Sequence, residues 1–509
     1  MGSSTERKPL PLLAASLLAL LLAAPFLVVD LPPLTDLPQH MNQGRLLLGE
    51  AWRPESPYRV NLFTPYTLTY GLVVATLSVL DPLAATTATM VLLCFAWTGA
   101  VLLRPKGKIV FTAGTLFALG FFYNQSLYWG LIHHVFGACF FIAFVRLLQR
   151  PGEGRVWWVL LYGVAIFFAH VYWVVFSALF LAARFALRPG LRKQSFFAGL
   201  AMIPGCLVML AWLIGAPEQQ DPEYGWLLAP WERLAPGPLV RAALGGIKHN
   251  VEALYLFVAA AYCLALALRS AYLRRAGRGA GRVNRASEHE NEADGRWDPD
   301  LLLAAGLCLL WALALPDGNS SSTLMAIRWM PYACAFLLLA TPAVPFRGRP
   351  TWNRSALSIS ALIFMALIAT TAVQWKKFER VEYAGFMQAI QALPERPDLL
   401  GLAYYQSSEY IHGYPFFHSV AYGQLIRGGR IHFSFADFPF CPVSHRELPH
   451  PWTARLEFFP QRVQKTDLKY FTHVLIAAPD QIHSQVAREH ALTPVSASKQ
   501  RWRLYRTPE

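Results

Sequence analysis

"PLPLLAASLLALLLAAPFLVVDLPPLTDLPQHMNQGRLLLGE", residues 9–50, decides the fold class. Its first half, Pro9 to Val29, is a 21-residue apolar run with Arg7 and Lys8 before it. At ~1.5 Å per residue such a run crosses the ~30 Å hydrocarbon core of a bilayer. It exceeds the apolar stretch of a signal peptide, and no small-residue cleavage site follows, so a retained first span is expected. The second half turns polar at once, with Asp30, Asp36, Pro38 and His40. A carboxylate and an imidazole four residues apart share one face of a helix.

Composition extends this reading to the whole chain. Of 509 residues, 55% are hydrophobic and 15% charged, against about 25% charged in a soluble domain. Further apolar segments lie near 83–103, 109–123, 131–148, 156–169, 171–187, 195–215, 251–268, 301–315, 329–344 and 355–373. With the first run these make eleven expected crossings. Six of the seven cysteines fall inside apolar runs and Cys441 lies in the tail, so no disulfide framework or cysteine metal site is expected.

Segment 66–80 is apolar but short, and loop charge decides its place. If it does not cross, the loops on one side carry 22 Lys and Arg and those on the other carry 7. Positive residues stay in the cytoplasm, so the N-terminus and the basic linker 269–300 are expected there. Loop 30–82 then faces outward, with 66–80 lying on the outer surface as an amphipathic or half-inserted helix. The net charge of +14 is largely this orientation signal together with contacts to anionic lipid, and no nucleic-acid partner is expected. An odd number of spans puts residues 374–509 outside, where charges return and short apolar runs alternate with helical patterns. "LLGLAYYQ", "FTHVLIAAP" and "RWRLYR" read as strands, and "EYAGFMQAIQAL" and "DQIHSQVAREH" as helices. The expected organisation is therefore a polytopic α-helical membrane domain, 1–373, and a periplasmic α/β domain, 374–509.

In this arrangement "DLPQHMNQGRLLLGE", the proline-led "NLFTPYTLTYGLVVATLSVLDPLAA", "FFYNQSLYWGL", "AHVYW" and "IRWMPYACAFLLLA" resemble the GT-C superfamily of membrane glycosyltransferases. The likeness is to the bacterial branch related to protein mannosyltransferases and lipid A aminosugar transferases. It implies a polyprenyl-phosphate sugar donor, a lipid, glycan or protein acceptor, and a place in the bacterial inner membrane. Many members carry paired acidic residues in the first outer loop, whereas Asp36 is followed here by Leu37 and Pro38.

Such chemistry needs a base near the acceptor and a cation near the phosphate. The resemblance assigns Asp36 the first role and Arg328, at the outer end of a span, the second. His40, Asp30 and His170 are further candidates for substrate contact, and Asp36 with His40 is a candidate pair of ligands for a divalent metal. A second reading of Asp36 stands beside this one, an N-cap with Gln39 as capping-box partner. The eight histidines of the tail, His412, His418 and His432 among them, match no metal-ligand spacing and read as solvated residues of a ligand-facing loop. The competing function classes are a lipid-linked-sugar transporter or flippase and a non-catalytic membrane subunit.

Overall fold

The computed structural model describes residues 10–104, 108–150, 155–215, 224–279, 296–319, 322–342, 349–495 and 500–508. Five helices are long and apolar enough to cross a membrane: Leu10–Leu27, Pro82–Leu102, Pro189–Gly215, Val251–Leu273 and Pro350–Glu382. Six shorter apolar helices pack among them: Thr67–Leu77, Ile132–Leu148, Arg155–Ala169, Val171–Leu187, Pro299–Ala314 and Ile327–Leu339. The chain is a multi-pass membrane protein.

Local chemistry sets where these helices begin. Asp-Pro starts two of them. Asp81 accepts from Leu83 and Ala84 N–H ahead of Pro82, and Asp298 accepts from Asp300 and Leu301 N–H ahead of Pro299. A carboxylate cap followed by proline at the first helical position satisfies the free amides without losing a bond. His170 separates the pair 155–169 and 171–187 by the same means, its Nδ1 accepting from Tyr172 N–H at 3.2 Å. The expected segment 109–123 contains a helix of only eight residues, Ala113–Gly120. It begins at a Thr112–Thr115 capping box, and Asn124 then caps the next helix, Gln125–Trp129. Helix Thr67–Leu77 spans about 16 Å, against a hydrocarbon core of ~30 Å.

Helix Pro350–Glu382 runs past the expected end at 373 and delivers Trp375, Phe378 and Glu382, all fully buried, to the tail. There a five-stranded sheet has the order 430–431, 398–403, 473–477, 502–506, 493–494. The first three strands are parallel and the last two antiparallel. Alternate residues face opposite sides of a strand. Leu399, Leu475, Trp502 and Leu504 join the core that continues from the membrane helices. Leu400, Leu402, Val474, Ile476 and Tyr505 join a second core with Trp452 and Phe471. One face of the sheet is thus welded to the helical part.

Buried ion pairs sort by loop. Arg146–Asp298 (2.9 Å) and Arg184–Asp300 (3.0 Å) join segments from the positive set of loops. Arg233–Asp317 (3.0 Å) joins two from the other set.

Candidate active site

Helix Leu37–Leu48 looks in sequence like a solvated helix head, but Gln39, Asn42 and Gln43 are fully buried. Gln39 Nε2 donates to Phe433 O and its Oε1 accepts from Phe435 N–H, both at 3.1 Å. Gln43 makes the same reciprocal pair with Val443, at 3.1 and 3.0 Å. Asn42 bonds Gln424, and Arg45 bonds the Leu425 carbonyl. Side-chain amides that both give and accept can stand in for a backbone ladder, so this helix is a polar seam to the tail. Its other side meets helix Thr67–Leu77 so closely that a Cβ at Gly44 would lie 2.4 Å from Val73 Cγ1. Strand Tyr58–Val60 completes the junction by pairing antiparallel with Val443–His445.

The seam fixes Asp36. Its carboxylate makes no capping bond, so the N-cap reading gives way. Oδ1 instead lies 2.9 Å from Nδ1 of His418, in the segment before helix Ala421–Arg427. The backbone holds the carboxylate in place: Thr35 and Asp36 N–H donate to the carbonyls of Tyr128 and Trp129, both at 3.0 Å. Gly130 closes this contact at φ +92°, where a Cβ would stand 2.5 Å from Asp36 N, so glycine alone fits. His418 is 6% exposed. Its ring stacks on Phe433 at 5.1 Å and meets Phe435 edge-on at 5.6 Å. Its Nε2 is buried without a hydrogen-bond partner among the described residues.

His40 faces a different group. Its Nδ1 lies 2.9 Å from Tyr70 Oη and 3.1 Å from His133 Nε2. Burial pushes the His40 imidazole down to about 4, against an opposing pull from Asp36 and with further lowering by His418. Tyr66, held at φ +82°, packs its ring 4.9 Å from His133 and 5.2 Å from His170. A bulky residue in the left-handed region costs of order 1–3 kcal/mol and marks a place where the surroundings dictate conformation. Arg328 is buried over the Tyr172 ring at 5.3 Å, its Nε donating to Leu324 O at 3.0 Å. Asp30 is exposed, with its amide on Glu379 Oε1.

The sequence-derived candidates therefore divide. Asp36 and His40 flank one buried site, but Asp36 Oδ1 turns to His418 and His40 Nδ1 to Tyr70 and His133, so the two do not converge on one point. Among the described residues, three metal-ligating side chains converge at Asp437, His445 and His450. The expectation of solvated tail histidines is corrected: His418, His432, His445, His473 and His483 are buried, His418 between Phe433 and Phe435, His445 against Tyr58 and His483 against Tyr505. His418 is the residue the sequence reading passed over. Its setting in "YPFFHSVAYG", between two phenylalanines and an apolar helix start, was the available signal.

Beside the site lies a cavity of about 900 Å³, reached from Thr35 and Trp129 and bordered by Arg233, Arg241, Lys248 and Arg455. Arg233 is neutralised by Asp317, while Arg241, Lys248 and Arg455 are exposed cations. Three such groups around an apolar floor suit a phosphate carried on a lipid.

Two solved structures share this architecture along nearly its whole length. ArnT from Cupriavidus metallidurans in the apo state superposes with a TM-score of 0.53 at 12% identity, covering 97% of both chains. The same protein bound to undecaprenyl phosphate gives 0.56 at 12% identity, covering 98% of both. The chain has the ArnT fold. At 12% identity the likeness is one of fold. No protein-family model matches the chain, and no curated protein matches it.

Proposed function

We propose that the protein is a GT-C glycosyltransferase that moves a sugar from a polyprenyl-phosphate carrier to an acceptor hydroxyl at the periplasmic face of the bacterial inner membrane. The observation that carries this reading is the buried Asp36–His418 pair, with His418 Nε2 unpartnered among the described residues, beside a cavity edged with cations. The ArnT fold, known with undecaprenyl phosphate bound in the neighbour, supports the carrier class.

In the reaction His418 Nε2 takes the acceptor's proton while Asp36 holds the ring and stabilises the imidazolium, the usual division of labour between an aimed base and its orienting carboxylate. The acceptor oxygen attacks the anomeric carbon, and the bond from that carbon to the phosphate oxygen breaks with inversion. Polyprenyl phosphate leaves, its charge met by Arg241, Lys248 and Arg455. Arg328 shapes the aromatic wall through Tyr172. The base role drawn for Asp36 from sequence thus belongs to the pair.

The eleven-span topology, with the N-terminus cytoplasmic and residues 374–509 periplasmic, belongs to this proposal. The sorting of ion pairs by loop supports it. So does the contact of Thr35 and Asp36 with Tyr128 and Trp129, as expected if loop 30–82 and segment 124–130 share one side. The test follows a labelled sugar on undecaprenyl phosphate in sealed proteoliposomes with cell-envelope acceptors. Label should leave the carrier as polyprenyl phosphate is released. Label that crosses the bilayer still joined to its lipid identifies a flippase and overturns the proposal.

A further inference from the structure

The loop that walls the Asp36 site with Phe433 and Phe435 carries a second carboxylate–imidazole cluster, which the proposed transfer does not use. Asp437 is fixed by a capping box, its Oδ2 accepting from Ser434 N–H at 3.2 Å. Its Oδ1 is left facing two rings: His450 Nε2 at 2.9 Å and His445 Nε2 at 3.5 Å. All three ligand atoms lie within 4.8 Å of one another.

Each ring is already held in place. His445 ends the strand paired with Tyr58–Val60 and packs against the Tyr58 ring at 4.7 Å. His450 lies flat on Trp452, centroids 4.3 Å apart and 8° between planes. One oxygen serves His450 well as a hydrogen-bond acceptor, but 3.5 Å is too long for a second good bond to His445. An ion with ligands at about 2.0–2.1 Å in a tetrahedron needs donor atoms roughly 3.3 Å apart, and the two Asp–His separations straddle that value. Two imidazole nitrogens and one carboxylate oxygen, with a fourth position left for water, suit zinc and its neighbours.

We propose that Asp437, His445 and His450 bind a divalent first-row transition-metal ion of the zinc class. The ion ties the loop over the Asp36 site to the strand that anchors the first outer loop. Its ligands lie outside the Asp36–His418 pair.

The test uses the full chain in detergent, free of any histidine tag, stripped with chelator and titrated with Zn²⁺ or Co²⁺. Wild type should take up one ion, show the visible bands of four-coordinate Co²⁺, and melt at a higher temperature once loaded. His450→Ala should weaken binding by more than the roughly 10–100-fold seen on losing an outer-shell partner and lose the metal-dependent rise in Tm. Its metal-free Tm should match wild type. If that variant does not accumulate, Asp437→Asn, which keeps the cap, provides the same readouts. His418→Ala should bind like wild type, which separates this cluster from the other histidines. No uptake by wild type at micromolar metal, retention in His450→Ala, or loss in His418→Ala would overturn the assignment.

Discussion

Two carboxylates, Asp36 and Asp437, stand on either side of the Phe433–Phe435 wall, and both face histidines. Asp36 meets one imidazole through Nδ1, and the buried Nε2 has no partner among the described residues. Asp437 meets two imidazoles, both through Nε2, so that nitrogens and oxygen aim at one point. The same residue types give a single carboxylate–imidazole pair in one place and a three-residue cluster in the other. The difference lies in which ring atom is turned inward and in how many rings share the oxygen. Function here follows from orientation, which the surrounding backbone sets: the Gly130 turn for Asp36, the Ser434 capping box for Asp437.

The sharpest way to break the comparison is to exchange the fates of its two halves. His418→Gln should lower sugar transfer by about 10²–10⁴-fold, the usual cost of losing a general base, at normal protein level. His450→Ala should leave transfer within a few-fold. Equal losses in both would show that the two clusters are one functional unit. Gly130→Ala acts on the backbone beneath the first half. The left-handed φ and the 2.5 Å approach to Asp36 N should destabilise the protein by about 1–3 kcal/mol, read as a lower Tm with transfer reduced in parallel. A Tm equal to wild type would mean that the turn does not position Asp36.

The exposed cations beside the cavity should act on binding and spare the chemical step. Replacing Arg241 and Lys248 together by Gln should raise the donor KM about tenfold with kcat little changed, the signature of lost uniform binding. A fall in kcat alone would move these residues into the reaction. Acidity acts on stability alone. His40 is neutral when folded, its pKa pushed down to about 4 from 6.5. Its contribution is fully present above pH 6.5 and is lost as the unfolded state takes up the proton between pH 6.5 and about 4. Stability should fall by on the order of 1.4 kcal/mol per pH unit in that window. His40→Gln should flatten the slope, and an unchanged slope would refute the assignment.

What was legible in the sequence was whatever one segment decides alone. Apolar length marked the long helices, and short apolar runs marked strands 398–403, 473–477 and 502–506. What was not legible depends on partners far along the chain. The burial of Gln39, Asn42 and Gln43 has no local signal, because their hydrogen-bond partners lie between Gln424 and Val443. Asp36 read equally well as a cap because its partner, His418, is 382 residues away. The tail histidines read as exposed because an imidazole suits water or a buried hydrogen bond, and only the fold chooses. Helix 113–120 fell short of its apolar run because Thr112 and Asn124 impose caps that hydropathy does not register.

The central claim is that Asp36 and His418 act as one base, and a double-mutant cycle tests it most directly. Transfer from a polyprenyl-phosphate sugar is measured for Asp36→Asn, His418→Gln and the double variant, each at matched protein level and Tm. If the pair is a unit, each single change costs about 10²–10⁴-fold, and the double costs no more than the worse single, as residues that work through one another are strongly non-additive. Single variants that transfer at the wild-type rate, or losses that multiply in the double variant, would contradict it.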